Sequence, residues 1–105
     1  MDFSKLRNRV TIQQNQPTIN AFGEETEEWV DFATVWASVE PLKGREFFAA
    51  QKENAETTVR IIIRYRSEFT ADMRIKFGNK VYEINAIIDL EERHMELQLM
   101  CQELL

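Results

Sequence analysis

The chain has 105 residues, 30% of them charged, and a formal net charge of −5. That length suits one domain able to bury a core without staples, and the acidic balance excludes the strong positive field of a dedicated non-specific nucleic-acid binder, though not a local basic stripe. Cys101 is the only cysteine, which excludes an intramolecular disulfide and a thiolate metal cluster.

The opening MDFSKLRNRV carries no apolar run of the signal-peptide kind. No segment approaches the ~20 apolar residues of a membrane span, so a soluble intracellular protein without a membrane partner is expected. Met1, Phe3 and Leu6 are spaced as on one helical turn. From Arg9 to Gln13 the pattern alternates, Val10 and Ile12 against Arg9, Thr11 and Gln13, which predicts a first strand. Residues 14–28 hold Pro17, Asn20, Gly23 and four glutamates with few apolar side chains, and are expected to form a long loop with a mobile tip.

EEWVDFATVWASVEPLKGRE, residues 27–46, contains both tryptophans. Its apolar residues fall on both alternation sets: Val30, Phe32 and Trp36 on one, Trp29, Ala33, Val35, Ala37 and Val39 on the other. A strand from about Glu28 to Val39 is therefore either covered on both faces or shifted in phase by a bulge. A small closed barrel accommodates either, and Pro41, which cannot donate to a ladder, marks the end. The segment 43–56 follows, with good helix formers from Ala49 to Glu53 and no alternation. A helix of two to three turns there needs a docking surface or stays disordered. Phe47 and Phe48 cannot both be buried by a short one-sided helix. Either one meets something outside its own domain, or both fold back over an open barrel end.

Thr57 to Arg66 alternates most clearly, with Val59, Ile61, Ile63 and Tyr65 on one face. Met73, Ile75 and Phe77 repeat the pattern, and Gly78-Asn79 signals a tight hairpin. Tyr82, Ile84, Ala86, Ile88 and Leu90 are expected inward on the next strand, and Met95, Leu97, Leu99 and Cys101 on the last. The sum is an all-β domain over 1–105. It is read as a small antiparallel barrel of five to six strands with one short helix or long loop inserted.

No catalytic constellation is visible, so an enzyme is not expected. His94 beside Glu91, Glu92 and Arg93 reads as an exposed turn histidine, since no partner or pocket makes it a base. Cys101 is in register with Leu97 and Leu99 and reads as core. No metal-ligand spacing and no phosphate-cradling glycine loop occurs, and no cofactor is expected. Two candidate binding features remain. One is the basic set Arg60, Arg64, Arg66, Arg74 and Lys76, outward on two strands taken as neighbours. It suits phosphates or an acidic partner, but lacks outward aromatics and can pair across strands with Glu83, Asp89 and Glu96. The other is the excursion carrying Lys43, Gly44, Arg45, Glu46, Phe47, Phe48, Gln51 and Lys52.

Four stretches in fixed order, RVTIQ at 9–13, VWASVEPLKGRE at 35–46, RIIIRYR at 60–66 and RIKFGNKVYEI at 74–84, resemble the phage head–tail joining (head-completion, or stopper) protein family. The resemblance spans almost the whole chain and contains no catalytic signature. It implies a small β-barrel that assembles as a ring beneath the portal and its adaptor ring in a long-tailed phage or prophage. There it would help retain packaged DNA, which passes through the channel without sequence-specific binding, and offer the tail proteins a docking surface. It further implies that 43–56 projects toward the ring axis and that 14–28 is a second interface candidate. The location implied is the virion neck, with assembly in the host bacterial cytoplasm. The alternative from the residues alone is a single-stranded nucleic-acid-binding barrel using the basic face.

Overall fold

A computed structural model describes residues 5–53, 56–89 and 93–104. Met1, Phe3, residues 54–55 and the Leu90–Glu91–Glu92 stretch, on which some expectations above rest, lie outside the described residues. Six strands close an antiparallel barrel: β1 (Asn8–Asn15), β4 (Trp29–Pro41), β5 (Val59–Arg64), β6 (Arg74–Phe77), β7 (Lys80–Ile88) and β8 (Glu96–Leu104). Their order around the wall is β1-β4-β5-β8-β7-β6. The short strands β2 (Thr18–Ile19) and β3 (Glu25–Thr26) form a separate two-stranded ribbon, and α1 (Gly44–Glu53) is inserted between β4 and β5.

The inward alternation sets make the core. Val10, Ile12, Ala37, Ile61, Ile63, Ile75, Tyr82, Ile84, Leu97, Leu99 and Cys101 are buried in one cluster, joined by Phe69 and Met73 from the loop between β5 and β6. In a barrel this small, side chains fill the interior and leave a packed core rather than a pore. The β6–β7 hairpin turns through Gly78-Asn79, with Phe77 opposite Lys80 and Gly78 at φ 61°. A positive φ at the first central position matches the turn whose twist suits a right-handed ladder.

Two bulges explain where the alternation changes phase. Ile12 pairs with Ala33 but Gln13 pairs with Asp31, leaving Phe32 as an extra residue on β4. Of the two alternatives for this strand, the bulge is the one realised. It turns both Phe32 and the Val35–Val39 set against the core and leaves Trp36 51% exposed. The second bulge corrects an expectation. Ile84 pairs with Cys101 and Ala86 with Met100, so Asn85 is extra on β7. Beyond it the phase flips: Ile87 packs on the core, while Ala86 and Ile88 face out. Met95 is likewise exposed, lying just before β8 begins.

The stretch 14–28 is also more regular than expected. β1 continues to Asn15 opposite Trp29, and the Gln16 amide donates to the Glu28 carbonyl at 2.7 Å. Thr18 and Ile19 then pair with Thr26 and Glu25. The tip is organised by Asn20, whose Oδ1 accepts the amides of Phe22 (2.9 Å) and Glu24 (3.0 Å), while Gly23 takes φ 79°. Such a side chain substitutes for the backbone acceptor that a turn otherwise lacks.

Truncating the core and truncating the ribbon should differ sharply. Ile75→Ala, at a site with 0% exposure, is expected to cost about 2–5 kcal/mol in denaturant unfolding. Phe22→Ser at the ribbon tip should stay within about 0.5 kcal/mol of the parent. Equal losses would mean that the ribbon is part of the cooperative core.

Candidate functional site

The basic set is not one face. β5 and β6 are not neighbours: they lie three strands apart in either direction around a six-strand wall, so Arg60 and Arg64 sit on the side opposite Arg74 and Lys76. The reason is topological. A loop and turn separate β5 from β6 in sequence, but β5 pairs with β4 and β8 while β6 pairs with β1 and β7. Each arginine also has local company. Arg60 Nη2 meets Glu40 Oε1 at 2.9 Å and Glu46 Oε2 at 3.3 Å. Arg66 pairs with Glu68 at 3.3 Å and lies 5.7 Å over the Phe32 ring. Arg74 donates from Nε to Gln13 Oε1 at 2.8 Å and stacks 4.2 Å over Trp29. Arg64 stands opposite Glu96, and Arg74 opposite Glu83. The exposed Lys76 pairs in register with Thr11 and Val81.

The excursion is a helix that leans on the wall through polar clips. Gly44, Arg45, Glu46, Phe48 and Lys52 are exposed, as is the preceding Lys43, and Phe47 and Gln51 are half-buried. Glu46 in the first turn reaches Arg60, and Gln51 Nε2 donates to the Thr57 carbonyl at 2.6 Å. Thr57 is itself buried, and its Oγ1 accepts Asn85 Nδ2 at 2.8 Å, so the β7 bulge steadies the chain just after the helix. A cleft of about 690 Å³ remains between helix and wall, lined by Ala49, Ala50, Ala86, Ile88 and Met100 among others. Phe48 is 67% exposed and its ring meets Phe47 edge-on at 5.6 Å. Of the two alternatives for this pair, Phe48 points outward rather than over the barrel end.

A second cleft was not legible beforehand. Pairing of β4 with β5 ends at Ala37–Ile63, because Tyr65 follows β8 instead, its amide donating to the Met95 carbonyl at 3.2 Å. Where the strands part, Trp36, Tyr65 and Leu6 with Arg9, Arg64 and Arg66 line a cleft of about 630 Å³. Arg9 lies 4.9 Å over the Trp36 ring, a cation–π contact. The signal that could have pointed here is Trp36 standing out of phase with Val35, Ala37 and Val39. The ribbon was expected at an interface only through family resemblance. Its own signal is Ile19 and Phe22, two large apolar residues among four glutamates, which are 76% and 87% exposed.

His94 sits at φ 55° beyond β7, its amide donating to Asp89 Oδ1 at 3.1 Å and its Nδ1 2.8 Å from Asp89 Oδ2. Asp89 thus serves this turn. Cys101 is fully buried, and burial pushes its thiol up to about 12. No group of three or more His, Cys, Asp or Glu side chains able to hold a metal occurs among the described residues. No helix among them is long and apolar enough to cross a membrane.

The profile of the phage head completion protein family matches residues 1–104. The chain belongs to that family. It is 33% identical over 83 residues to head completion protein gp7 of Enterobacteria phage HK97, covering 79% of this chain and 74% of the relative. Its fold is similar to the solution structure of protein SF1141 from Shigella flexneri 2a, at TM-score 0.80 and 35% identity. That match covers 98% of this chain and 96% of the other. A chain in the virion of a native gene transfer agent particle shares the fold at TM-score 0.61 and 16% identity, over 94% of this chain and 96% of that one.

One ionic contact of this head completion family member gives a pH signature. The Ser38 hydroxyl and then Arg60 donate to Glu40 and hold its carboxyl below the ordinary 4.5. A carboxyl whose folded pKa is depressed adds stability above its unfolded value and loses it as pH falls through the folded value. Thermal midpoints should therefore drop on acidification below about pH 4.5, and Glu40→Gln should flatten part of that slope. An unchanged slope in the variant would remove Glu40 from the acid response.

Proposed function

We propose that the protein is a structural head-completion part of a phage or prophage particle, a connector assembling as a ring below the portal and adaptor. In that position it helps retain packaged DNA and presents a docking surface for the tail. Its place is the virion neck, reached from the host cytoplasm during assembly. The observation that carries this reading is the family match over residues 1–104, joined by the relative named as a head completion protein.

The physical arrangement supports it. A net charge of −5 suits a conduit that DNA must traverse without adhering. The arginines are dispersed around the barrel and partnered, which suits ring packing better than a strand-tracking groove. No metal-ligand cluster occurs among the described residues, and the reading is of a non-enzymatic part without cofactor. The two projecting elements, the ribbon and α1, are the parts free to meet neighbours, and α1 is assigned to the side facing the ring axis.

The test is light scattering after size exclusion, on the protein alone and mixed with the portal–adaptor complex of its own phage. Co-migration as a larger, defined species is expected; a chain that ignores the complex at all ratios would defeat the connector reading. Phe47→Ser with Phe48→Ser is expected to leave the barrel folded, with a thermal midpoint within a few degrees, yet abolish co-migration. Unfolding of that variant would instead make the segment core.

A further inference from the structure

Resting on the connector reading, we infer that the β2–β3 ribbon of one copy seats in the Trp36–Arg9 cleft of the next, forming the head-to-tail contact of the ring. The two surfaces complement each other in shape and charge. Residues 14–30 contain Glu24, Glu25, Glu27 and Glu28 and no lysine or arginine, and at their tip stand Ile19 and Phe22, almost wholly exposed. The cleft offers the reverse: an apolar floor of Leu6, Trp36 and Tyr65 and a rim of Arg9, Arg64 and Arg66, with no carboxylate among the described residues of its lining. Arg66 pairs with Glu68 at 3.3 Å, and Glu96 stands opposite Arg64 in the strand register. An aromatic anchor entering a desolvated pocket, ringed by opposite charges that fix its register, is the usual anatomy of an interface hot spot.

A chain cannot fill its own cleft in this way. Ribbon and cleft lie along the same β1–β4 ladder, with Arg9 opposite Trp36 and Asn15 opposite Trp29. Twelve residues separate Glu24 from Trp36, roughly 35–40 Å at strand rise, in a molecule 49 Å long and 27 Å across. Tip and cleft are different patches: a reciprocal exchange of tips would give a closed two-fold dimer, whereas one tip per cleft in a single direction gives a heterologous contact. Repeated, such a contact closes into a ring or runs on as a filament.

The experiment separates donor from acceptor. A tip variant, Ile19→Ser with Phe22→Ser, and a cleft variant, Arg9→Glu with Arg64→Glu, are checked for folding by thermal melts. They are then examined by analytical ultracentrifugation, alone, mixed, and with the portal–adaptor complex. Each alone is expected to self-associate roughly tenfold or more weakly than the parent. Their equimolar mixture should yield a dimer and nothing larger, because one intact tip meets one intact cleft. If the cleft variant does not fold, the milder Arg9→Gln with Arg64→Gln, at two exposed positions, takes its place as the partner with the impaired cleft. Variants that associate like the parent would overturn the inference, as would a mixture without dimers. If both variants still join the portal–adaptor complex in full number, the connector reading stands and this contact falls. If the mixture dimerises while the parent ignores the complex, the contact stands and the connector reading falls. Loss of complex binding by the tip variant alone, with normal association of the cleft variant, would reassign the ribbon to the adaptor and overturn the inference.

Discussion

Closure of the barrel depends on its shortest seam. β1 meets β6 through three residue pairs, Thr11–Lys76, Ile12–Ile75 and Gln13–Arg74. The central pair is wholly buried, and the outer one is extended by side chains. Arg74 donates to Gln13, whose Nε2 donates to Asp31 at 3.0 Å, so one polar relay ties β6, β1 and β4 together. Gln13 is buried to do this, and a buried amide with both ends satisfied holds a register that apolar contacts alone leave free to slip. The β4 bulge at Phe32 sits beside this relay; it supplies the bend that brings a 13-residue strand from the barrel wall into the ribbon.

Much of this was legible in the alternation of apolar residues. Val10 with Ile12, Ile61 with Ile63, Ile75, and Leu97 with Leu99 and Cys101 were all read inward and are buried. Strand alternation is a local property, and a one-residue shift inverts it; this is why Asn85 turned Ala86 and Ile88 outward without any sign in their own chemistry. Strand neighbours are a non-local property. Arg64 and Arg74 look adjacent when two strands are read in succession, and only the closing order of the barrel places them on opposite sides. Phe48 is exposed because it lies on a helix too short to bury both phenylalanines, as the sequence suggested, whereas the exposure of Phe22 in the β2–β3 turn was not read from the sequence.

The same architecture divides labour between wall and appendages. A closed wall leaves few unpaired strand edges, which guards the protein against indiscriminate sheet pairing. The proposed contacts accordingly lie on projecting pieces and at the place where β4 and β5 part.

The helix α1 is fastened to the barrel by Glu46–Arg60 near its start and Gln51–Thr57 near its end, with a cleft between. Polar fastenings and an unfilled gap give a segment little of the burial that sustains the strands. Its backbone amides are therefore expected to exchange with solvent through an opening of their own, at lower free energy than global unfolding. Salt is expected to weaken the partly exposed Glu46–Arg60 link more than the apolar core of the barrel, so the hold of the helix on the wall should loosen as ionic strength rises.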